Sequence, residues 1–143
     1  WGASALASTG SARTVGGLGV PCGVSERNEV ATHPSPLPAL HERYGNSLLI
    51  LGRGAQGALM YVAADHRFYQ AAAISPRPVI NTVGAGDALF SAFIHGINQH
   101  QDPYRALRQA CLFAGWKIGT PRAAEGFLHA NELAQLAQQH GLN

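Results

Sequence analysis

Asn81-Thr82-Val83-Gly84-Ala85-Gly86-Asp87-Ala88-Leu89-Phe90 is the stretch on which the reading of this chain turns. Three small residues run straight into an apolar helical pattern in which Leu89, Ala92, Phe93, Gly96 and Ile97 share one face. The first backbone N–H groups of a helix lack intrahelical partners, and the macrodipole is positive there, so the turn before this helix is suited to an anion. Glycine lets a phosphate oxygen approach the main chain, because no Cβ stands in the way. Asp87 in the first helical turn is out of place if the site only binds phosphate, since two negative charges repel. A carboxylate that takes the proton of an attacking hydroxyl resolves the conflict. The plainer alternative is that Asp87 caps an ordinary tight turn, as Asp does at many helix starts.

Working outward, Pro103 after Asp102 marks the start of a second helix, with Ala106, Leu107, Ala110, Phe113 and Ala114 on its buried face. A third helix is expected from about Asn131 to His140. Upstream, Ser47-Leu48-Leu49-Ile50-Leu51 is a short apolar run closed by glycines, which predicts a central strand of a parallel sheet, buried on both faces. Ala58–Ala63 and Arg67–Ala72 flank Ala64-Asp65-His66 at a spacing that predicts an antiparallel hairpin beside it. Pro34-Ser35-Pro36-Leu37-Pro38 reads as a loop, and residues 1–23, rich in Gly, Ala, Ser and Thr, as a flexible or irregular segment ahead of a single domain over 24–143.

With 46% hydrophobic residues, 143 residues are enough for one core. Ten Lys plus Arg against eight Asp plus Glu form no clustered basic stripe, which argues against a nucleic-acid partner. Cys22 and Cys111 lie far apart, and the seven histidines show no ligand spacing, so neither a disulfide scaffold nor a zinc site is expected. No apolar run approaches the roughly 20 residues needed to span a bilayer, and no leader pattern opens the chain. The expectation is a cytoplasmic protein with no membrane partner.

The run from Asn81 to Phe90 resembles the signature of the ribokinase/PfkB carbohydrate kinases, usually Asp-Thr-x-Gly-Ala-Gly-Asp followed by a small and apolar helix. The resemblance runs from about Ser47 to His140, more loosely back to Ser25, and covers the family's C-terminal portion. It implies a ribokinase-like layered α/β/α fold, here partial, with a mostly parallel sheet and an antiparallel hairpin. It implies Asp87 as catalytic base and the amides of Gly84, Ala85 and Gly86 as the anion hole. Thr82 then joins the nucleotide-binding residues. Gly52-Arg53-Gly54-Ala55-Gln56-Gly57 resembles the family's Thr-x-Gly-x-x-Gly element near the nucleotide phosphates, with Gly52 in place of Thr, although a glycine-rich strand-to-hairpin turn also explains it.

Ala114 and Gly115 resemble the small residues that leave room for the adenine, and equally suit close helix packing. Glu29, with Glu26, stands where the family's Asn-x-x-Glu motif serves Mg2+ through water, although such a charged stretch is usually solvated surface. Asn81 replaces an Asp that helps bind a monovalent cation, which removes a charge and argues against strong potassium activation. Lys117 reads as a complement to the negative end of its helix.

The implied activity is phosphoryl transfer from ATP, with Mg2+, to a hydroxyl of a sugar or related small molecule. Complete members of the family are longer, and their N-terminal portion supplies the sugar pocket and lid. The chain is therefore expected to act within a longer or assembled kinase. An incomplete sheet with an open edge is compatible with a homo-oligomer or a partner chain. The alternative is a non-catalytic nucleotide-binding or interaction domain that keeps the fold. A dinucleotide-binding oxidoreductase is disfavoured, because no Gly-x-Gly-x-x-Gly follows an early strand.

Overall fold

The computed structural model describes residues 29–30, 35–100 and 102–142; the segment 1–23 and Glu26 lie outside the described residues. Two compact units are present. The first comprises the described residues through Arg53 together with Ala58–Ala71, and the second Gly54–Gly57 together with the chain from Ala72 onward.

In the first unit, β1 (Glu29–Val30), β2 (Leu48–Gly52), β3 (Ala58–Val62) and β4 (Phe68–Ala71) form one sheet in the order β1-β4-β3-β2. Every pairing among these strands is antiparallel. The expected hairpin is β3–β4, with Tyr61 opposite Phe68 and Ala58 opposite Ala71. Its loop closes where Val62 and Arg67 each donate a backbone N–H to the other's carbonyl, at 2.9 and 3.3 Å. His66 adopts the left-handed conformation, φ 55°, which His accepts more readily than most residues and which a short hairpin loop requires.

The placement of Ser47–Leu51 as a central parallel strand is corrected: β2 lies at the edge of the described sheet, and the parallel portion expected of it is not among the described strands. Only Arg53–Gly57 separates β2 from β3, far short of the dozen or so residues a parallel crossover needs, so the chain returns antiparallel. The central, fully buried strand is β3, whose five residues are as continuously apolar as β2.

A helix, α1 (Leu37–Tyr44), stands where the prolines predict a loop. Pro38 falls in its first turn, where a missing N–H costs nothing because that donor has no helical acceptor. Gly45 ends it in the left-handed conformation, its amide bonded to His41 O at 2.7 Å. Leu37 and Leu40 of α1 pack on Leu49, Leu59, Tyr61 and Phe68, and the Tyr61 and Phe68 rings lie 5.2 Å apart.

The second unit is helical: α2 (Ala85–His100), α3 (Pro103–Lys117) and α4 (Ala130–Gln139). The Asp102 carboxylate caps α3, accepting from the backbone N–H of Tyr104 at 3.0 Å and of Arg105 at 3.4 Å. Gly96 lets α2 and α3 approach closely, since a Cβ there would fall 2.9 Å from the Ala106 Cβ. Leu107 and Leu112 of α3 have no accessible surface; burying such a side chain is worth about 2–3 kcal/mol. Leu112 packs with Ala137 and Leu142, which fixes α4 against α3. Burial pushes the Cys111 thiol up to about 12, so it is an unreactive core residue. Replacing Asp102 with Ala leaves two first-turn amides of α3 without their acceptor. The expected loss is about 1 kcal/mol of stability, read as a lower urea midpoint with an unchanged slope.

Candidate functional site

The site is assembled where the segment leading into α2 meets the end of α3, within the second unit. Ile118 caps α3 at its C-terminus, where helix carbonyls lack helical partners. Its carbonyl accepts from the N–H of Ile80 at 2.8 Å and of Asn81 at 3.0 Å. The Asn81 side chain extends this join in both directions. Its Oδ1 accepts from Val83 N–H at 3.0 Å, an Asx turn, while its Nδ2 donates to Pro121 O at 2.9 Å.

Gly84 then takes φ +83°, a conformation that favours glycine, and Ala88 N–H donates to Gly84 O at 2.9 Å as α2 begins. The Ala85 amide, expected in the anion hole, bonds Thr82 O at 3.2 Å. The amides of Gly86 and Asp87 have no backbone acceptor among the described residues. A Cβ at Gly86 would meet nothing within 4 Å, so the turn is open on that side and has room for a phosphate. Asp87 is exposed in the first turn of α2, its carboxylate available to a ligand.

At Gly84 the turn is backed by protein. A Cβ at Gly84 would lie 3.6 Å from both Lys117 Cε and Ala123 O. Lys117 is only 3% exposed, and its Nζ donates to Thr120 Oγ1 and Arg122 O, both at 2.7 Å. A cleft of about 520 Å3 runs from Gly84 and Lys117 past Ala88, Ser91 and Phe113 to His95. The burial of Lys117 is what reading the sequence missed: a Lys in the last turn of a helix looks like a solvated dipole partner, and here the loop that follows supplies acceptors at Thr120 and Arg122.

The remaining sequence-derived residues are placed as follows. Gly52 is exposed at the end of β2, in the first unit. Gly54 (φ 56°) and Gly57 (φ 83°) bracket one turn of 3-10 helix, closed by Gly57 N–H to Gly54 O at 3.0 Å, and this turn groups with the helical unit. Thr82 is exposed and Ala114 half-buried. The space beside Gly115 is filled: a Cβ there would fall on the Ile74 carbonyl, so this glycine admits the 74–76 backbone against α3. Arg77 holds that segment in place by stacking on Trp116 at 3.9 Å and donating from Nε to Trp116 O at 2.7 Å. Glu29 pairs with Tyr69 in β1. Among the described residues no group of three or more His, Cys, Asp or Glu is placed to hold a metal. Nor, among them, is any helix long and apolar enough to cross a membrane.

Residues 24–131 match the pfkB family carbohydrate kinase. The chain belongs to that family. It is 30% identical over 98 residues to a 5-dehydro-2-deoxygluconokinase of Clostridium tetani, a match covering 67% of this chain and 28% of that one. It is 37% identical over 76 residues to a fructosamine kinase of Bacillus subtilis, covering 53% of this chain and 26% of the relative. Among solved structures, an E. coli protein described as a ribokinase II, in complex with ATP and Mg2+, superposes with a TM-score of 0.65 at 27% identity, covering 76% of this chain and 35% of that one. The fold is ribokinase-like and partial. This pfkB chain thus spans between about a quarter and just over a third of the length of the kinases it matches.

Asn81→Ala removes both side-chain bonds that bind the turn to the end of α3. Each such bond is worth about 1 kcal/mol, so hydrogen exchange at the Val83 amide is expected to speed up about five-fold or more, with α4 amides unaffected.

Proposed function

We propose that this chain is the phosphate-binding and base-bearing part of an ATP-dependent kinase that phosphorylates a hydroxyl of a sugar-like small molecule. The observation that carries the reading is Asp87, exposed in the first turn of α2 beside the open, glycine-built turn, in a chain that belongs to the carbohydrate kinases. A 5-dehydro-2-deoxygluconokinase and a fructosamine kinase among its relatives support a polyhydroxylated acceptor.

In this reading the acceptor hydroxyl approaches between Asp87 and the terminal phosphate of ATP. The oxygen attacks phosphorus, the bond from phosphorus to the bridging oxygen of ADP breaks, and the hydroxyl proton passes to the Asp87 carboxylate. The amides of Gly86 and Asp87, with Gly84 shaping the turn, stabilise charge spreading over the phosphoryl oxygens. The Ala85 amide holds the turn closed through Thr82 O and contributes its geometry. Within the helical unit Gly54, Gly57 and Thr82 are the residues proposed for the nucleotide phosphates and Ala114 for the base, while Gly115 acts by admitting the 74–76 backbone. Mg2+ bound with ATP would neutralise phosphate charge. Activity requires the acceptor pocket that the rest of a longer polypeptide or a partner supplies, and the compartment proposed is the cytoplasm.

Calorimetric titration of the chain with ATP and Mg2+ is expected to show binding that Gly84→Val abolishes, since a β-branched residue at φ +83° is strained and adds bulk at the turn. Absence of binding to the wild type would overturn the reading. In the active assembly, Asp87→Asn is expected to reduce turnover by about 100-fold or more while nucleotide affinity stays within a factor of two. Unchanged turnover would remove Asp87 as the base.

A further inference from the structure

Lys117 is the only lysine in the chain, and it is 97% shielded from water, its exposure being 3%. Lysine is almost never buried to this degree without an ionic partner, because an ammonium withdrawn from water is costly unless its charge is matched. Among the described residues both of its partners are neutral: the Thr120 hydroxyl and the Arg122 carbonyl, each 2.7 Å from Nζ. The nearby Glu125 carboxylate pairs instead with Arg122, at 3.5 Å. An ammonium has three donors, and these two contacts occupy two of them.

The position of this unmatched charge is specific. The Lys117 stem lies against Gly84, with Cε 3.6 Å from where a Cβ would stand, while the space beside Gly86 is open. Thr120 is itself fixed by donating to Lys117 O at 2.7 Å, so the hydroxyl that receives the ammonium is held in place. Lys117 also lines the cleft that begins at Gly84.

We infer that Lys117 is a positioning residue of the phosphate turn: a buried, hydrogen-bonded ammonium whose stem lies against Gly84 and whose charge is matched when a nucleotide polyphosphate occupies the open space at Gly84–Asp87. This rests on the kinase reading above and adds to it the source of positive charge. Lys117 acts through the turn and its field, without contact with the transferred group. A screened charge at this depth is expected to change polyphosphate affinity about ten-fold.

The test compares the chain with Lys117→Met, which keeps the stem and removes the charge, using ATP with Mg2+, inorganic tripolyphosphate and adenosine as titrants. The expected result is about ten-fold weaker binding of ATP and tripolyphosphate with adenosine affinity unchanged within two-fold. Because there is one lysine, 13C-lysine labelling of the wild type gives a single side-chain Cε resonance, which keeps the test open should the variant fail to fold. That resonance is expected to move on addition of tripolyphosphate and to stay in place with adenosine. Equal losses for ATP and adenosine, or a resonance unmoved at saturating tripolyphosphate, would overturn the inference. If the wild type binds ATP and Gly84→Val does not, while Lys117→Met binds as the wild type does, the kinase reading stands and the Lys117 inference falls. If the wild type binds neither ATP nor tripolyphosphate, both fall.

Discussion

The Ile118 carbonyl is the point on which the site depends. A helix must leave its last carbonyls without helical donors, and an extended segment entering a turn must leave amides without sheet partners. At Ile118 these two deficits cancel, as one oxygen receives the amides of Ile80 and Asn81. Asn81 then carries the join on to Pro121 and stabilises its own turn through Val83. Each neutral hydrogen bond contributes only about 1 kcal/mol net, yet four of them converge on a few residues immediately before α2. The conformation of Gly84 and the direction in which the first amides of α2 point follow from that anchorage.

What could be read from the sequence is what short-range chemistry specifies. The turn at Gly84–Asp87, the Asp102-Pro103 start of α3 and the β3–β4 hairpin each declare themselves within a few residues, and each forms where the residues indicate. The misread elements have longer-range causes. Pro36-Leu37-Pro38 fits both a loop and a first helical turn, and the choice falls to Leu37, which buries against Leu49 and Tyr61. Leu48–Leu51 and Ala58–Val62 are equally apolar, so which strand is interior depends on sheet order that neither run encodes. Gly115 looks like space reserved for a ligand until the Ile74 carbonyl is seen to occupy it. The candidate site follows the same division: the local form of its glycine turn could be read from adjacent residues, and the burial of Lys117 could not.

On the proposed kinase reading, the arrangement separates two electrostatic tasks that conflict in a single turn. A carboxylate that is to receive a proton must stand near the incoming phosphate, whose charge it repels. Asp87 is exposed, and Lys117 is enclosed against Gly84. Gly84 keeps the Lys117 stem close to the main chain of the turn, since no side chain stands between them. A bulky residue in its place would both strain the backbone and lengthen that distance.

One feature of the chain's course bears on how such a protein is inherited. Gly54–Gly57, the short connection between two strands of the first unit, groups with the helical unit, so the two units are interleaved along the sequence. No single break separates one from the other intact. A recombination event at Ala72 would deliver the helices and the Asp87 turn but leave behind the glycines that accompany them in space.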